Sequence, residues 1–199
     1  MEGTRDELLE LWFGDGDDVE VAKRNAPLWW GKSPDTDARL ADRFGTAASA
    51  AAAGLLDHWT GSPRGRLALI LLLDQLPRVI HRGTPAAFAQ DHRARRAAAK
   101  GIESGADRLL RPIERVFFYL PFEHSEDPDD QRRSVELFEG LVDEVPVDWE
   151  PTFDEYLDYA VRHREVVDRF GRFPHRNAIL GRESTPEELE YLAQPGSGF

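Results

Sequence analysis

The sequence has no cysteine among its 199 residues, which excludes disulfide bonds and thiolate metal ligands and is typical of a reducing compartment. It also has no long apolar run, because the most apolar stretch, residues 67–76, has about half the length of a membrane span. The N-terminal residues include acids where a signal peptide needs a basic flank and an apolar segment. We therefore expect a soluble, cytoplasmic protein that does not bind a membrane.

Lysine is nearly absent from the chain. It occurs only at Lys23, Lys32 and Lys100, so arginine supplies 22 of the 25 basic residues, against 37 acidic residues and a formal net charge of −12. A guanidinium fork suits carboxylate and phosphate groups, although a coding bias toward arginine is the simpler explanation of the excess. The acidic balance argues against nucleic acid as a partner, because binding its backbone requires a basic face.

Helical periodicity dominates the chain, and strand-like alternation is scarce. The length and the 41% hydrophobic content suit one domain, residues 1–199. We predict an all-α bundle or superhelix of about eight or nine helices. Helix start signals are present at Thr4, at Asp35 or Asp37, at Ser62, at Thr84 and in the motif Ser184-Thr185-Pro186-Glu187, and end signals at Gly54 and Gly171.

Two stretches predict local irregularity. Pro77 interrupts an apolar helical run, so it is expected to kink or end that helix. The segment FGDGDDVE, residues 13–20, carries Asp15, Asp17 and Asp18 without the spacing of a calcium loop. We interpret it as a solvated loop.

A first polar group interrupts the apolar run near Pro77. Asp74, Arg78 and Arg82 follow one another at four-residue spacing, which places them on one side of a helix. Asp74 follows three leucines, so we expect it to be buried and to need a partner. We favour the interpretation that Asp74 forms a structural salt bridge with Arg78. The functional alternative is that Asp74 orients Arg78 and Arg82 toward an anionic ligand.

A second polar group follows an aromatic helix end. Glu123, His124 and Glu126 can act in acid–base chemistry or bind a metal, but no short metalloprotein signature accompanies them. Capping of the next helix by Ser125 and Asp127 is the favoured interpretation. We expect no metal site here.

The third group lies in FGRFPHRNAILGR, residues 170–182, which has three arginines, one histidine and no acid. We expect His175, Arg176 and Asn177 in the first turn of a short helix, whose free N–H groups, with Arg172 and Arg176, would bind an anion. Pairing of these arginines with acidic residues elsewhere in the chain is an equal alternative. His163, on an apolar face of the preceding helix, is more typical of a core residue than of a ligand.

Other kinds of site find no support. The sequence lacks the Gly-x-Ser-x-Gly elbow of a serine hydrolase and a phosphate-binding Gly-rich loop, and we expect no cofactor. An enzyme built from this chain would depend on arginine, histidine and carboxylate side chains.

These motifs resemble the bacterial domain-of-unknown-function family 924. The similarity runs from LELWFG and LWWGKSPDTDARLADRFG through LALILLLDQLPRVIHRG and FYLPFEHSEDPDDQ to RHREVVDRFGRFPHRNAILGR and the final PGSGF. It implies an all-α fold similar to tetratricopeptide-repeat superhelices, and no established activity. The polar positions that match the family are Asp74, Gln75, Arg78, Arg82, Glu123, His124, Ser125, Glu126, Gln131, His163, Arg164, Arg169, Arg172, His175, Arg176 and Asn177.

Two classes of function are compatible with these residues, and both require the three polar groups to converge on one cleft. The favoured class is a binding module whose arginine- and histidine-lined cleft takes a small anion or an acidic peptide. The alternative is an enzyme acting on a small anionic metabolite, with Glu123, His124 and His175 as acid–base residues. The ligand-binding residues would be Asp74, Gln75, Arg78, Arg82, Glu126, His163, Arg172, Arg176 and Asn177. Phe199 can also dock onto its own molecule, and the oligomeric state stays open.

Overall fold

The computed structural model describes residues 2–198, so the predicted docking of Phe199 lies outside the described residues. These residues form α-helices and short 3₁₀ turns without a β-strand, which confirms the prediction of an all-α fold. The helices are α1 Glu2–Trp12, α2 Asp18–Trp29, α3 Pro34–Ala52, α4 Pro63–Ile70, α5 Leu76–Ile80, α6 Asp91–Glu103, α7 Pro112–Glu123, α8 Pro128–Glu144, α9 Glu150–Phe170 and α10 Pro186–Leu192.

Helix α7 forms the centre of the core. Residues 113–123 are all buried, as expected of a helix that is covered on every side. Helices α2, α4, α6 and α8 pack around it, and α9 packs mainly on α8. None of the helices in residues 2–198 has the length and apolar character needed to cross a membrane.

A π-helical turn, Leu71–Gln75, joins α4 to α5, so the three segments run on as one helix. The Leu76 N–H donates to the carbonyl of Leu71, five residues back. Pro77 follows directly, and a proline has no N–H and crowds the carbonyl four residues before it. The wider turn relieves this conflict, so the helix continues to Ile80 instead of ending at Pro77.

Most of the predicted helix boundaries are confirmed. The side chains of Ser62, Asp127 and Thr185 cap α4, α8 and α10. Gly171 ends α9 with a φ of 68°, a left-handed conformation that favours glycine. Gly54, with a φ of 79°, follows α3.

Three local predictions are wrong. Thr4 lies inside α1 rather than at its N-cap, and Ser33, not Asp35 or Asp37, caps α3. Residues 13–20 are not simply a solvated loop, because α2 begins at Asp18 and Asp17 is its N-cap. Buried Asp18 accepts hydrogen bonds from Arg111 Nε at 2.8 Å and from the Ile113 N–H at 3.0 Å, which ties this segment to the start of α7.

Candidate functional site

Six segments bring buried and partly buried polar side chains to one end of α7. We call this set the polar cluster. Its members come from the π turn, α5, the first residue of α6, the end of α7, α9 and the 3₁₀ turn Pro174–Arg176. They are Asp74, Gln75, Arg78, Asp91, Glu123, His124, His163 and Arg176. The cluster therefore unites residues from all three polar groups of the sequence, including Arg78, His124 and Arg176.

Asp74 anchors the cluster and has no exposed surface. Its Oδ1 lies 2.8 Å from His124 Nδ1 and 3.5 Å from Arg78 Nη1, and its Oδ2 accepts a 2.6 Å hydrogen bond from Gln75. Burial alone would raise the pKa of Asp74, but the charge of Arg78, with the hydrogen bonds from His124 and Gln75, outweighs burial and lowers it. Asp74 is therefore an ionised carboxylate inside the protein.

His124 follows the last residue of α7 and is its C-cap. Burial and the nearby charge of Arg78 lower the pKa of His124, so the imidazole is neutral at pH 7. Because its Nδ1 faces an ionised carboxylate, the proton lies on Nδ1 and Nε2 carries the lone pair. Nε2 makes no hydrogen bond with the described residues, and 13% of the side chain is exposed.

Glu123 and His163 form a buried pair beneath His124. His163 Nδ1 lies 2.8 Å from the Tyr159 carbonyl and 3.2 Å from Glu123 Oε1. Burial, with the charge of Asp74, raises the pKa of Glu123 to about 8. Burial lowers the pKa of His163 well below its usual value. At pH 7 this pair is an uncharged acid beside an uncharged imidazole.

Arg78 is occupied by carboxylates. It binds both oxygens of Asp91 at 2.9 and 3.0 Å and donates to the backbone carbonyl of Asp74 at 2.7 Å. A fork-to-fork pair of this kind satisfies the charge of both partners. The predicted Asp74–Arg78 contact is present, but Asp91 is the main partner of Arg78.

Arg176 is the under-bonded cation of the cluster. Only 6% of the residue is exposed, and its guanidinium lies between the rings of Phe88 and Phe173, at 4.7 and 4.5 Å from their centroids. Nη1 donates to the His124 carbonyl at 3.0 Å, and Asp91 Oδ2 is 3.8 Å away. Buried Nε has no acceptor among the described residues.

The other arginines of the basic segment pair with acids inside the chain. Arg172 binds both oxygens of Glu188 at 2.6 and 2.8 Å, and Arg182 binds both oxygens of Glu126 at 2.7 and 2.9 Å. Internal pairing therefore accounts for these two arginines but not for Arg176.

Four of the proposed ligand-binding residues are held in pairs outside the polar cluster. Arg82 binds both oxygens of Asp37. Asn177 donates to Ser184 and Glu188 and accepts from Arg182. These contacts, with those of Arg172 and Glu126, leave Arg82, Arg172, Glu126 and Asn177 engaged within the protein.

His175 lies beside the cluster, with its ring 5.6 Å from that of Phe173. Burial, followed by the charge of Arg176, lowers the pKa of His175 to about 4. His175 is therefore neutral at pH 7, as are His124 and His163.

The predicted helix-start anion site is wrong. Pro174–Arg176 is a three-residue 3₁₀ turn, too short to present a free helix N-terminus. The Arg176 N–H bonds to the Phe173 carbonyl, and the Phe173 N–H donates to Glu126 Oε1 at 2.8 Å. An anion near this turn would therefore meet the Arg176 side chain instead of free backbone donors.

The described residues offer neither a metal centre nor an open depression lined by the polar cluster among the two described below. No three histidine or acidic side chains in residues 2–198 are grouped so as to hold a metal ion. Two surface depressions lie away from the polar cluster, one between α1, α2 and α3 around Arg24 and Arg43, the other between α9 and the segment 194–197.

Sequence reasoning missed Asp91, Phe88 and Phe173. Asp91 begins α6, a position where acids are common for helix stability alone, so nothing marked it as a partner of Arg78. In the sequence, nothing distinguishes Phe88 and Phe173 from other apolar core residues. Their role in enclosing Arg176 depends on contacts between segments far apart in the chain.

The fold and this cluster define an all-α protein with a buried arginine–histidine–carboxylate site. The chain belongs to the family described as bacterial protein of unknown function (DUF924), whose model matches residues 8–196. It is similar to the solved structure of a protein of unknown function from Agrobacterium tumefaciens, with 40% identity and a TM-score of 0.82 over 96% of this chain and 98% of that chain. No curated protein matches the chain.

Proposed function

We propose that the protein binds a small anion, a carboxylate or a phosphate, through the guanidinium of Arg176 beside His124. One observation carries the proposal: a buried guanidinium that makes one hydrogen bond with the described residues. Arginine offers five N–H donors, and buried polar groups in proteins are almost always satisfied. A bound anion supplies the missing acceptors and the missing negative charge.

Arg176 retains its charge in this environment. Burial and the charge of Arg78 lower the pKa of Arg176 to about 10, which still leaves it protonated at neutral pH. The nearest carboxylate, Asp91, is already bound at both oxygens by Arg78, so Arg176 lacks a full counter-charge. The aromatic faces of Phe88 and Phe173 stabilise the cation without using its N–H groups.

The engagement of the other arginines favours a small ligand over an acidic peptide. A peptide groove would need several arginines free on one surface, but Arg78, Arg82, Arg172 and Arg182 each bind both oxygens of a carboxylate. Arg176 is itself nearly enclosed, so only a compact group can reach it.

Isothermal titration calorimetry with inorganic phosphate, acetate and succinate tests this proposal. We expect at least one of these anions to bind the wild type and to bind Arg176→Met about 30-fold more weakly, since one charge-assisted interaction is lost. Methionine keeps the apolar stem between the two phenylalanines.

Arg82→Met provides the matched control. It removes an arginine that pairs with Asp37 near the surface, so anion affinity should stay within about twofold of wild type. Equal loss in the two variants would mean that binding depends on overall charge and not on Arg176, and the proposal would be wrong. Absence of binding by all three anions would contradict it directly.

A further inference from the structure

We infer that His124 is a general base, and that its Nε2 removes a proton from a water molecule or hydroxyl group next to the anion held by Arg176. This inference rests on the proposed function and adds a reaction to it. In the step, the O–H bond breaks, the proton moves to Nε2, and the bonding electron pair stays on the oxygen. The resulting imidazolium is stabilised by Asp74.

The geometry of the Asp74–His124 pair supports this role. The 2.8 Å contact fixes the proton on Nδ1 and turns the opposite nitrogen, Nε2, away from the carboxylate. A fully buried carboxylate held by Gln75 and Arg78 keeps the ring in one orientation. Asp74 is thus a positioning residue, and His124 is the group that meets the substrate.

The position of Arg176 links the base to the ligand. Its Nη1 binds the backbone carbonyl of His124 at 3.0 Å, so the cation is next to this residue but does not occupy the imidazole nitrogen. The anion proposed for Arg176 would therefore bind beside residue 124, whose neutral imidazole has an Nε2 without a partner among the described residues.

The π turn, which accommodates Pro77, also carries Asp74. Asp74 lies in the wide turn Leu71–Gln75, which replaces regular α-helical hydrogen bonding in the most apolar part of the chain. Turns of this kind are rare and occur frequently at functional sites, because they aim side chains that a regular helix would place elsewhere.

Carbethoxylation by diethyl pyrocarbonate, followed by peptide mass spectrometry, tests the inference on the full chain without a known substrate. The reagent modifies only unprotonated imidazole, and exposed His58, His81 and His92 are internal references. Between pH 7.5 and pH 5.5 the modification of His124 should slow little, because burial lowers its pKa.

Whichever of phosphate, acetate and succinate binds in calorimetry, added at a saturating concentration, then tests whether Nε2 faces the anion. We expect the bound anion to slow the carbethoxylation of His124 at least fivefold and to leave the rates of the reference histidines unchanged. In Arg176→Met the anion should no longer slow the modification of His124. The substitution Asp74→Asn should slow the carbethoxylation of His124 several-fold at pH 7.5. If that variant does not fold, the ¹⁵N chemical shifts of His124 in the wild type serve as a second test, because they report which ring nitrogen carries the proton. We expect the Nδ1–H tautomer.

Each contrary outcome identifies what is wrong. An unreactive His124, or an Nε2–H tautomer, overturns the general base even if calorimetry detects phosphate. Binding of phosphate without protection of His124 shows that the base faces elsewhere, which also overturns it. Absence of binding by phosphate, acetate and succinate in calorimetry refutes the anion site, and with it any base acting on that anion, through a separate measurement.

Discussion

The guanidinium of Arg176 donates a 3.0 Å hydrogen bond to the backbone carbonyl of His124. His124 is the C-cap of α7, where helix carbonyls lack intrahelical partners and the helix dipole is negative. Arg176 therefore complements the end of the central helix with one of its five donors. Its buried Nε has no acceptor among the described residues, and the proposed anion site rests on this difference.

Exchanging Arg176 for methionine should reduce anion affinity without a large loss of stability. The buried cation lacks acceptors, so its removal relieves a desolvation cost while methionine preserves contact with Phe88 and Phe173. We expect the free energy of unfolding in urea to change by less than about 1 kcal/mol.

Arg182→Met should behave in the opposite way. It removes bonds to both oxygens of Glu126, to the Phe173 carbonyl and to Asn177. Because partly buried partners lose their donors, we expect a loss of roughly 2–3 kcal/mol in urea unfolding and unchanged anion affinity. The two variants would contradict our assignment if Arg176→Met unfolded the protein and Arg182→Met abolished binding.

Local sequence signals predicted much of the helical framework. Ser62, Asp127 and Thr185 cap their helices because a side-chain oxygen and the next few N–H groups are enough to define a helix start. Helix α2 escaped prediction because Asp17 and Asp18 look like loop residues until Arg111, 93 positions away from Asp18, is seen to bind the latter.

The site was predicted less completely than the framework. The three leucines before Asp74 predicted its burial, and the placement of polar residues in core-like segments indicated that they would converge. The choice of partner for each arginine could not be predicted. The side chains of Arg172, Arg176 and Arg182 are chemically identical. Arg172 pairs with Glu188 and Arg182 pairs with Glu126, whereas Arg176 donates only to a backbone carbonyl, and these contacts are visible only in the structure.

Glu123→Gln should stabilise the protein increasingly as pH rises. Because burial raises the pKa of Glu123 to about 8 from 4.5, the folded state holds a proton that the unfolded state releases. Each pH unit between those values costs the folded wild type up to about 1.4 kcal/mol, and glutamine avoids this cost. Urea unfolding of both proteins at pH 5 and pH 8 measures the difference, which should favour the variant more at pH 8. A difference independent of pH would show that Glu123 titrates normally.

Acid should destabilise the protein through its neutral histidines. The pKa of His175 is about 4 when folded and 6.5 in its ordinary state, so the unfolded chain binds the extra proton first as pH falls below 6.5. Stability present above pH 6.5 is therefore lost progressively down to about pH 4. Between pH 7.5 and pH 5, His175→Gln should lose about 2 kcal/mol less than wild type in urea unfolding. Parallel losses in the two proteins would exclude His175 as a source of acid sensitivity.

Two glycines in helix interiors should respond oppositely to alanine. At Gly101 in α6 a Cβ atom would run into the ring of Phe118 and the stem of Arg66, whereas at Gly140 in α8 it would meet no atom within 4 Å. Alanine favours a helix over glycine by about 1 kcal/mol, so Gly140→Ala should raise the free energy of unfolding by that amount. Overpacking against Phe118 should make Gly101→Ala less stable by about 1–3 kcal/mol despite the same helical gain. Thermal or urea unfolding of both variants measures these changes in the free energy of unfolding. Stabilisation by Gly101→Ala would mean that α6 and α7 pack less closely than their contacts indicate.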